Sequence, residues 1–287
     1  MGSPVFKTRM LGLLRLFRFE LPFTAGVCVL LGELLALGSL PPISRMVLGF
    51  LGVFLISATS LILNDYFDLE TDRINAPGRP LPAGLVTRRD VIALFCVVTV
   101  LGFIISLLLG LEALLVVVLV WAVGLLYNWR FKKTGLPGNL MVSFSVGMTF
   151  IFGGIAVGQP FEGVVWLFGV MAMLINLGEE IAADAMDIEG DKKAGSQSLP
   201  VLLGSENALR ISASIFILAC ITSCLPLLFG WMEWVYAFPI LLMDGIILYA
   251  AVKLVNPSLP NRRMYIRWIY LGALLAISII IIMKMFH

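Results

Sequence analysis

The stretch MVLGFLGVFLISATSLILN, residues 46–64, decides the fold of this chain. It contains no charged residue and has the length of about 20 residues that a membrane-crossing helix needs. The chain of 287 residues is 60% hydrophobic and only 13% charged, and its mean hydropathy is +1.01. A soluble globular domain carries about 25% charged residues. The composition therefore predicts an all-α, polytopic membrane protein.

About nine apolar runs reach the length of a membrane span when charges, Pro and Gly are used as punctuation. They are expected to start near Phe19, Ile43, Val91, Ala113, Gly138, Val164, Asn207, Trp234 and Tyr265. No small-residue cleavage pattern follows the N-terminal basic residues, so we expect no cleaved signal peptide.

The basic residues orient these spans. Of the 20 lysines and arginines, all except Arg45 and Lys284 precede the first span or fall in alternate connections. The positive-inside rule makes that side cytoplasmic, which puts the N-terminus inside and, with nine spans, the C-terminus outside. We expect a multi-pass protein of the cell membrane in this orientation.

Several functional classes are excluded by composition. The net charge of +2 and the lack of a basic stripe interleaved with aromatic residues argue against a nucleic-acid partner. The only histidine is His287, so a Ser-His-Asp triad and a histidine-based zinc or haem site lack their parts.

Two acidic motifs share one spacing. Asp65, Asp68 and Asp72 follow the second span, and Asp184, Asp187 and Asp191 follow the sixth, both as D-x-x-D-x-x-x-D. Positions i, i+3 and i+7 fall on one helical face, so each trio is predicted to form an acidic stripe. Stacked like charges need a compensating cation, and Mg²⁺ prefers carboxylate oxygens and substrate phosphates. We expect the stripes to face each other across a central cavity that opens to the cytoplasm and to bind a diphosphate through Mg²⁺.

The repeated spacing also indicates an internal duplication. We interpret residues 1–287 as a single transmembrane domain with two pseudo-repeats, about 19–135 and 138–253, and a final helix at 265–285.

The motifs resemble a known family. Asn64-Asp65-x-x-Asp68-x-x-x-Asp72 with Arg79-Pro80-Leu81-Pro82-x-Gly84, and Asp187-x-x-x-Asp191 with Gly195, resemble the two signatures of the UbiA superfamily of intramembrane prenyltransferases. The tracts 64–68, 132–135 and 150–154 are similar to its archaeal ether-lipid branch, digeranylgeranylglyceryl phosphate synthase. This resemblance implies Mg²⁺-dependent transfer of a geranylgeranyl group from its diphosphate to a lipophilic acceptor, geranylgeranylglyceryl phosphate, for ether-lipid synthesis.

The resemblance also implies roles for individual residues. The implied metal ligands are Asn64, Asp65, Asp68, Asp72, Asp184, Asp187 and Asp191, and four of these, Asp68, Asp72, Asp187 and Asp191, are the implied catalytic residues. The candidate ligands of the substrate diphosphate are Arg18, Arg73, Arg79 and Lys132. Tyr127 and Asn128 are candidates for substrate contact.

Alternatives remain at two levels. Leu21, Glu179 and Ala183 depart from the ether-lipid branch, so the acceptor could instead be 4-hydroxybenzoate, a quinone precursor or a tetrapyrrole. A secondary transporter is the alternative of another class, but it would place its acids near mid-membrane. A CDP-alcohol phosphotransferase would need D-x-x-D-G-x-x-A-R, and Leu69 follows Asp68 here. The prenyl chain length, the general base and the oligomeric state stay open.

Overall fold

The structure, a computed structural model, describes residues 4–259 and 261–286, so His287 lies outside the described residues. Within these ranges, nine helices are long and apolar enough to cross a membrane, which confirms the predicted all-α, multi-pass fold. The helices are α1 (Pro4–Leu16), α2 (Glu20–Leu37), α3 (Ile43–Phe67), α4 (Leu69–Asn75), α5 (Arg88–Leu109), α6 (Leu111–Leu126), α7 (Leu136–Ala156), α8 (Gly163–Met186), α9 (Ile188–Ala194), α10 (Leu199–Leu203), α11 (Ser205–Leu228), α12 (Ala237–Val255) and α13 (Arg263–Phe286). A π-helical turn (Tyr127–Phe131) extends α6, and a 3₁₀ turn (Trp234–Tyr236) precedes α12.

The spans start close to their expected positions, and the third shows why small differences arise. We expected it to begin near Val91, but α5 begins at Arg88. Thr87 accepts a hydrogen bond from the backbone N–H of Asp90, and the Asp90 side chain accepts one from the backbone N–H of Thr87. This reciprocal capping box satisfies N–H groups that would otherwise lack partners, and so starts the helix one turn earlier.

Both acidic motifs lie across a break between two helices. Asp68 ends α3 and begins α4, and Asp187 ends α8 and begins α9, so each middle aspartate separates a spanning helix from a helix of 7 residues. The expectation that each trio forms one continuous helical stripe is therefore wrong. The spacing is compatible with a straight helix, but the structure interrupts each helix at the same point of the motif.

The chain divides into two compact units. The first comprises Met1–Leu30 and Pro42–Trp129, and the second comprises Leu31–Pro41 and Arg130–His287. These bounds differ from the two pseudo-repeats expected from the motifs, and the duplication stays a prediction.

In the first unit, a cluster of buried apolar side chains underlies the first acidic motif. It draws residues from α1, α3, α4, α5 and the connection between α4 and α5: Leu16, Ala58, Ile62, Leu69, Leu81, Val86, Val91 and Val98. Burial of these side chains packs α4 and the following connection against α3. This packing holds the aspartates of the first motif, which lie at the end of α3 and in α4, in place.

In the second unit, α7 and α8 approach closely at two glycines. A Cβ atom on Gly147 would lie 2.6 Å from the backbone oxygen of Gly169, so only a residue without a side chain fits there. Such small-residue contacts are typical of helix pairs inside membranes. The same unit joins α11 to α12 through the Ser223 hydroxyl, which donates to the Asp244 carboxylate over 2.7 Å.

Candidate active site

Asp65 is the most deeply buried carboxylate of the first motif. Its side chain is 1% exposed and accepts a hydrogen bond from the guanidinium of Arg18, which lies between α1 and α2. Arg18 has a φ of +42°, a backbone conformation that costs energy for a residue with a side chain. The strained backbone directs the arginine at Asp65, and the pair neutralises a buried charge.

Asp72 is held by a second arginine. Nη1 of Arg79 lies 2.6 and 2.5 Å from the two carboxylate oxygens of Asp72, and 3.9 Å from Asp65. Partial burial alone would lower the pKa of Arg79, but the hydrogen bond and charge of Asp72 raise the pKa above its ordinary value. The charges of Asp65 and Asp68 add to this increase, so Arg79 stays protonated among three carboxylates.

The connection after α4 explains how Arg79 reaches Asp72. The backbone N–H of Arg79 donates to the carbonyl of Ala76, and Leu85 donates to the carbonyl of Pro80, which folds this segment into consecutive turns. The side chain of Leu81 is buried in the apolar cluster of the first unit and anchors these turns. The turns of Arg79-Pro80-Leu81-Pro82 therefore place the side chain of Arg79 next to the acidic motif.

Asn64 and Asn128 are brought together by α3 and the π-helical turn. Nδ2 of Asn64 donates to Oδ1 of Asn128 over 3.1 Å. Asn128 is buried, and its own amide donates to the carbonyls of Ser60 and Gly124. These bonds fix the orientation of Asn64, whose side-chain oxygen is of the type that Mg²⁺ prefers.

The remaining candidates are Arg73, Tyr127 and Lys132. Arg73 lies on the outer face of α4 and forms an exposed ion pair with Glu70 over 2.9 Å. Tyr127 and Lys132 are half-buried and lie in the π-helical turn and just after it, in the first and the second unit respectively.

A cavity of about 380 Å³ adjoins these residues in the first unit. Three arginines and one carboxylate contribute its charged lining, and the complete lining is Arg15, Arg18, Asp65, Ala76, Gly78, Arg79 and Pro80. Sequence reasoning had assigned Arg15 only to membrane topology. Except for Arg18, the other residues of the cavity are distant from Arg15 in sequence, so nothing in the sequence indicated that Arg15 lines a cavity.

The second motif has different partners, all within the second unit. Nδ2 of Asn139 on α7 donates to Asp184 over 2.8 Å, and the Ser198 hydroxyl donates to Asp191 over 2.5 Å. Arg263, the first residue of α13, pairs with Asp187, and both side chains are exposed by about 60%. Sequence reasoning gave no role to Asn139, Ser198 or Arg263. Asn139 and Arg263 meet the motif only through the fold, whereas Ser198 lies seven positions after Asp191.

Two glycines shape the segment that carries Ser198. Gly195 ends α9 with a φ of +69°, after which the N–H of Ser196 donates back to the carbonyl of Asp191. Gly135, at the start of α7, has a φ of +70°, and a Cβ there would collide with the backbone oxygen of Gln197. Both positions favour glycine because a side chain would be strained there.

We expect Gly135→Ala to destabilise the protein by about 1–3 kcal/mol, since it combines an unfavourable backbone conformation with a backbone collision. Thermal unfolding in detergent measures the effect as a lower midpoint. Gly190→Ala is the matched control, because a Cβ at Gly190 meets no atom within 4 Å. Equal midpoints for the two variants would contradict this account of Gly135.

The donor atoms around both motifs fit a hard divalent cation. The first motif offers carboxylate oxygens and the amide oxygen of Asn64, and the second offers carboxylates alone. Within residues 4–259 and 261–286, no three Asp, Glu, His or Cys side chains form a group that could hold a metal by themselves. Mg²⁺ sites commonly use one or two carboxylates, with water and substrate phosphates completing the shell.

Fold and motifs together define a class, a multi-pass helical membrane protein with two acidic motifs at the ends of spanning helices. The profile of the UbiA prenyltransferase family matches residues 25–282. Digeranylgeranylglyceryl phosphate synthase of Pyrococcus abyssi is 38% identical over 235 residues, which are 82% of this chain and 83% of that protein.

Solved structures agree with this similarity. A structure of digeranylgeranylglyceryl phosphate synthase covers 97% of this chain and 99% of its own, with a TM-score of 0.82 and 28% identity. A UbiA homologue from Archaeoglobus fulgidus, bound to GPP and Mg²⁺, covers 94% of this chain and 99% of its own, with a TM-score of 0.68 and 20% identity.

The chain belongs to the UbiA prenyltransferase family. It is a membrane-embedded enzyme whose reaction is prenyl transfer.

Proposed function

We propose that this enzyme transfers a geranylgeranyl group from geranylgeranyl diphosphate to the free hydroxyl of geranylgeranylglyceryl phosphate, with Mg²⁺ as the metal. The observation that carries the proposal is the group formed by Asp65, Asp72 and Arg79, in which both carboxylates lie within 4 Å of the Arg79 guanidinium. Carboxylates that can hold Mg²⁺, beside arginines that can bind phosphate oxygens, are the chemistry that a diphosphate needs.

The reaction exchanges one C–O bond for another. The bond between C1 of the allylic chain and the diphosphate oxygen breaks, and its electron pair leaves with the diphosphate. The hydroxyl oxygen of the acceptor forms a new bond to C1 and gives an ether, and its proton passes to solvent. The products are the diether lipid phosphate, diphosphate and one proton, so atoms and charge balance.

The side chains of both motifs supply electrostatic stabilisation for the leaving group. When bound, Mg²⁺ neutralises the negative charge that develops on the diphosphate. The proposed metal ligands are Asn64, Asp65, Asp68, Asp72, Asp184, Asp187 and Asp191. Arg18 and Arg79 would donate hydrogen bonds to phosphate oxygens directly, and guanidinium groups suit this role because they present several donors in a plane.

Membrane helices suit the rest of the substrate. Both prenyl chains are apolar, and an allylic cation must be protected from water. The apolar surfaces of membrane-spanning helices provide an environment that meets both needs. Both motifs lie on the side of the membrane that carries most of the lysines and arginines. The positive-inside rule makes that side cytoplasmic, with the N-terminus inside, so we propose that the diphosphate binds at the cytoplasmic face. Soluble diphosphate could then leave to the cytoplasm.

Geranylgeranylglyceryl phosphate is the proposed acceptor because the curated relative from Pyrococcus abyssi carries the name of that reaction and covers most of the chain. The cavity of the first unit, which three arginines line, adds a physical reason. A phosphate monoester carries more negative charge and more acceptor oxygens than the single carboxylate of 4-hydroxybenzoate, so it would pair with more of these arginines.

An acceptor panel tests the proposal. Purified protein in detergent with Mg²⁺ and labelled geranylgeranyl diphosphate is offered geranylgeranylglyceryl phosphate, 4-hydroxybenzoate and a tetrapyrrole alcohol or acid in parallel. We expect labelled ether product on geranylgeranylglyceryl phosphate and none on the aromatic acceptors. Product on 4-hydroxybenzoate alone would overturn the ether-lipid assignment while leaving the enzyme a prenyltransferase.

A further inference from the structure

The cavity of the first unit contains one cation that the acidic motif does not neutralise. Arg18 pairs with Asp65, and Arg79 pairs with Asp72. Arg15 forms no ion pair with any residue in the described part of the chain. One of its N–H groups donates to the carbonyl of Gly78 over 3.0 Å, which holds the guanidinium at the wall of the cavity.

The charge of this cavity favours a small anion. Its lining carries three guanidinium groups against the single carboxylate of Asp65. A guanidinium has five N–H donors, so the bond from Arg15 to the carbonyl of Gly78 leaves donors for phosphate oxygens. Gly78 leaves the wall of the cavity open, since nothing lies within 4 Å of a Cβ placed there.

An aromatic surface begins beside the same arginines. Phe17 and Phe19 flank Arg18 in sequence, and their rings stack at 5.4 Å. Both rings also contact Phe54 of α3, at 6.3 and 6.0 Å. The row continues through Phe50, which stacks on Phe54 at 6.0 Å and meets Phe23 of α2 edge-on at 5.4 Å.

The aromatic row is half-buried at Phe17, Phe50 and Phe54 and exposed at Phe19 and Phe23. Phe19, just before α2, is 51% exposed, and Phe23 on α2 is 57% exposed. A row of five phenylalanines whose members Phe17 and Phe19 flank Arg18, a residue of the cationic cavity, matches an amphiphile with a phosphate head and a long apolar chain. A compact aromatic acid would use only the cavity.

We propose that the part of the cavity formed by Arg15 and Gly78 binds the phosphate head of the acceptor lipid, beside the diphosphate on Arg18 and Arg79, with the aromatic row contacting its isoprenoid chain. This inference deepens the proposed function and rests on it for the identity of the acceptor. Arg15 is the specificity residue, because it gives the cavity an unneutralised positive charge that a phosphate monoester can pair with.

Direct binding tests the inference without turnover. Labelled geranylgeranylglyceryl phosphate is titrated onto protein in detergent, with neither donor nor Mg²⁺ present. We expect saturable binding, weakened about 10-fold or more by Arg15→Gln, as is typical for loss of a charge-assisted hydrogen bond. Lys7→Gln is the matched control, because Lys7 is an exposed cation of the same helix outside the cavity, and it should bind like wild type.

Two further ligands test which part of the lipid is recognised: one lacks the phosphate head, and the other has a phosphate head but different apolar chains. Geranylgeranylglycerol, which lacks the phosphate, should bind wild type and Arg15→Gln equally. A diacylglycerol phosphate in the same micelles should compete at least 10-fold less well than the acceptor. Equal competition would make the cavity a general site for anionic lipids and would overturn the acceptor assignment.

Kinetics distinguish the failure of this inference from the failure of the proposed function. In turnover assays, Arg15→Gln should raise the KM for the acceptor about 10-fold and leave the KM for geranylgeranyl diphosphate within 2-fold. An unchanged acceptor KM, or an equal rise for the donor, would contradict the inference while the enzyme still makes the ether. If wild type makes no ether at all, the proposed function fails, and the binding titration alone decides whether the cavity recognises the phosphate lipid.

Discussion

Asp68→Asn is expected to lower kcat for prenyl transfer by about 10²–10³-fold, the loss that typically follows removal of one electrostatic contact to developing charge. Asparagine keeps the shape of the side chain, but it lacks the negative charge that we propose holds Mg²⁺. Release of diphosphate from the labelled donor, measured at saturating concentrations of both substrates, reports the effect.

The control for Asp68 lies two residues away. Glu70→Gln also removes one negative charge from α4, but Glu70 is 72% exposed and pairs with Arg73 on the outer face. We expect its kcat to stay within about 2-fold of wild type, because exposed ion pairs contribute little. If Glu70→Gln lost as much activity as Asp68→Asn, the loss would be explained by the net charge of this region and not by metal ligation through Asp68.

Asp187→Asn should cause a loss of similar size in the second unit. Asp187 occupies the equivalent position of the second motif, at the break between α8 and α9, and its carboxylate pairs with Arg263. If its role is to ligate Mg²⁺, the neutral variant loses about 10²–10³-fold in kcat and its half-saturating Mg²⁺ concentration rises.

Arg263→Gln separates ligation from a structural ion pair. It removes the partner of Asp187 and keeps the carboxylate, so we expect a change in kcat of less than about 5-fold. Glu189→Gln, an exposed carboxylate of α9, controls for the charge of that helix and should behave like wild type. Equal losses in Asp187→Asn and Arg263→Gln would show that the ion pair, and not a metal, explains the effect.

Most of the fold follows from the sequence because spans are defined by composition over about 20 residues, a signal that does not depend on tertiary contacts. The expected start at Ile43 is the start of α3, and the expected start at Trp234 coincides with the 3₁₀ turn before α12. The start of α5 differed because the Thr87–Asp90 capping box outweighed the charges that had been taken as part of the loop.

The site was predictable as a set of residue types and less so as an arrangement. The repeated aspartate spacing identified both motifs, and the resemblance identified Arg79 and Arg18. The same spacing concealed the breaks at Asp68 and Asp187, because i, i+3 and i+7 fit an unbroken helix equally well. Arg15 and Asn139 could not be assigned, since their hydrogen bonds span 63 and 45 positions and depend on tertiary folding. The bond of Ser198 to Asp191 spans only 7 positions, but it depends on the turn at Gly195, which the residue types alone did not define.

The central claim is that the aspartates of both motifs hold Mg²⁺ that binds the prenyl diphosphate. The most direct measurement is equilibrium binding of labelled geranylgeranyl diphosphate to purified protein over a Mg²⁺ titration, with no acceptor present. We predict tight binding that requires Mg²⁺, disappears with EDTA, and is weakened at least 10-fold in both Asp68→Asn and Asp187→Asn but not in Glu70→Gln. Equally tight binding in EDTA, or in either aspartate variant, would contradict the account.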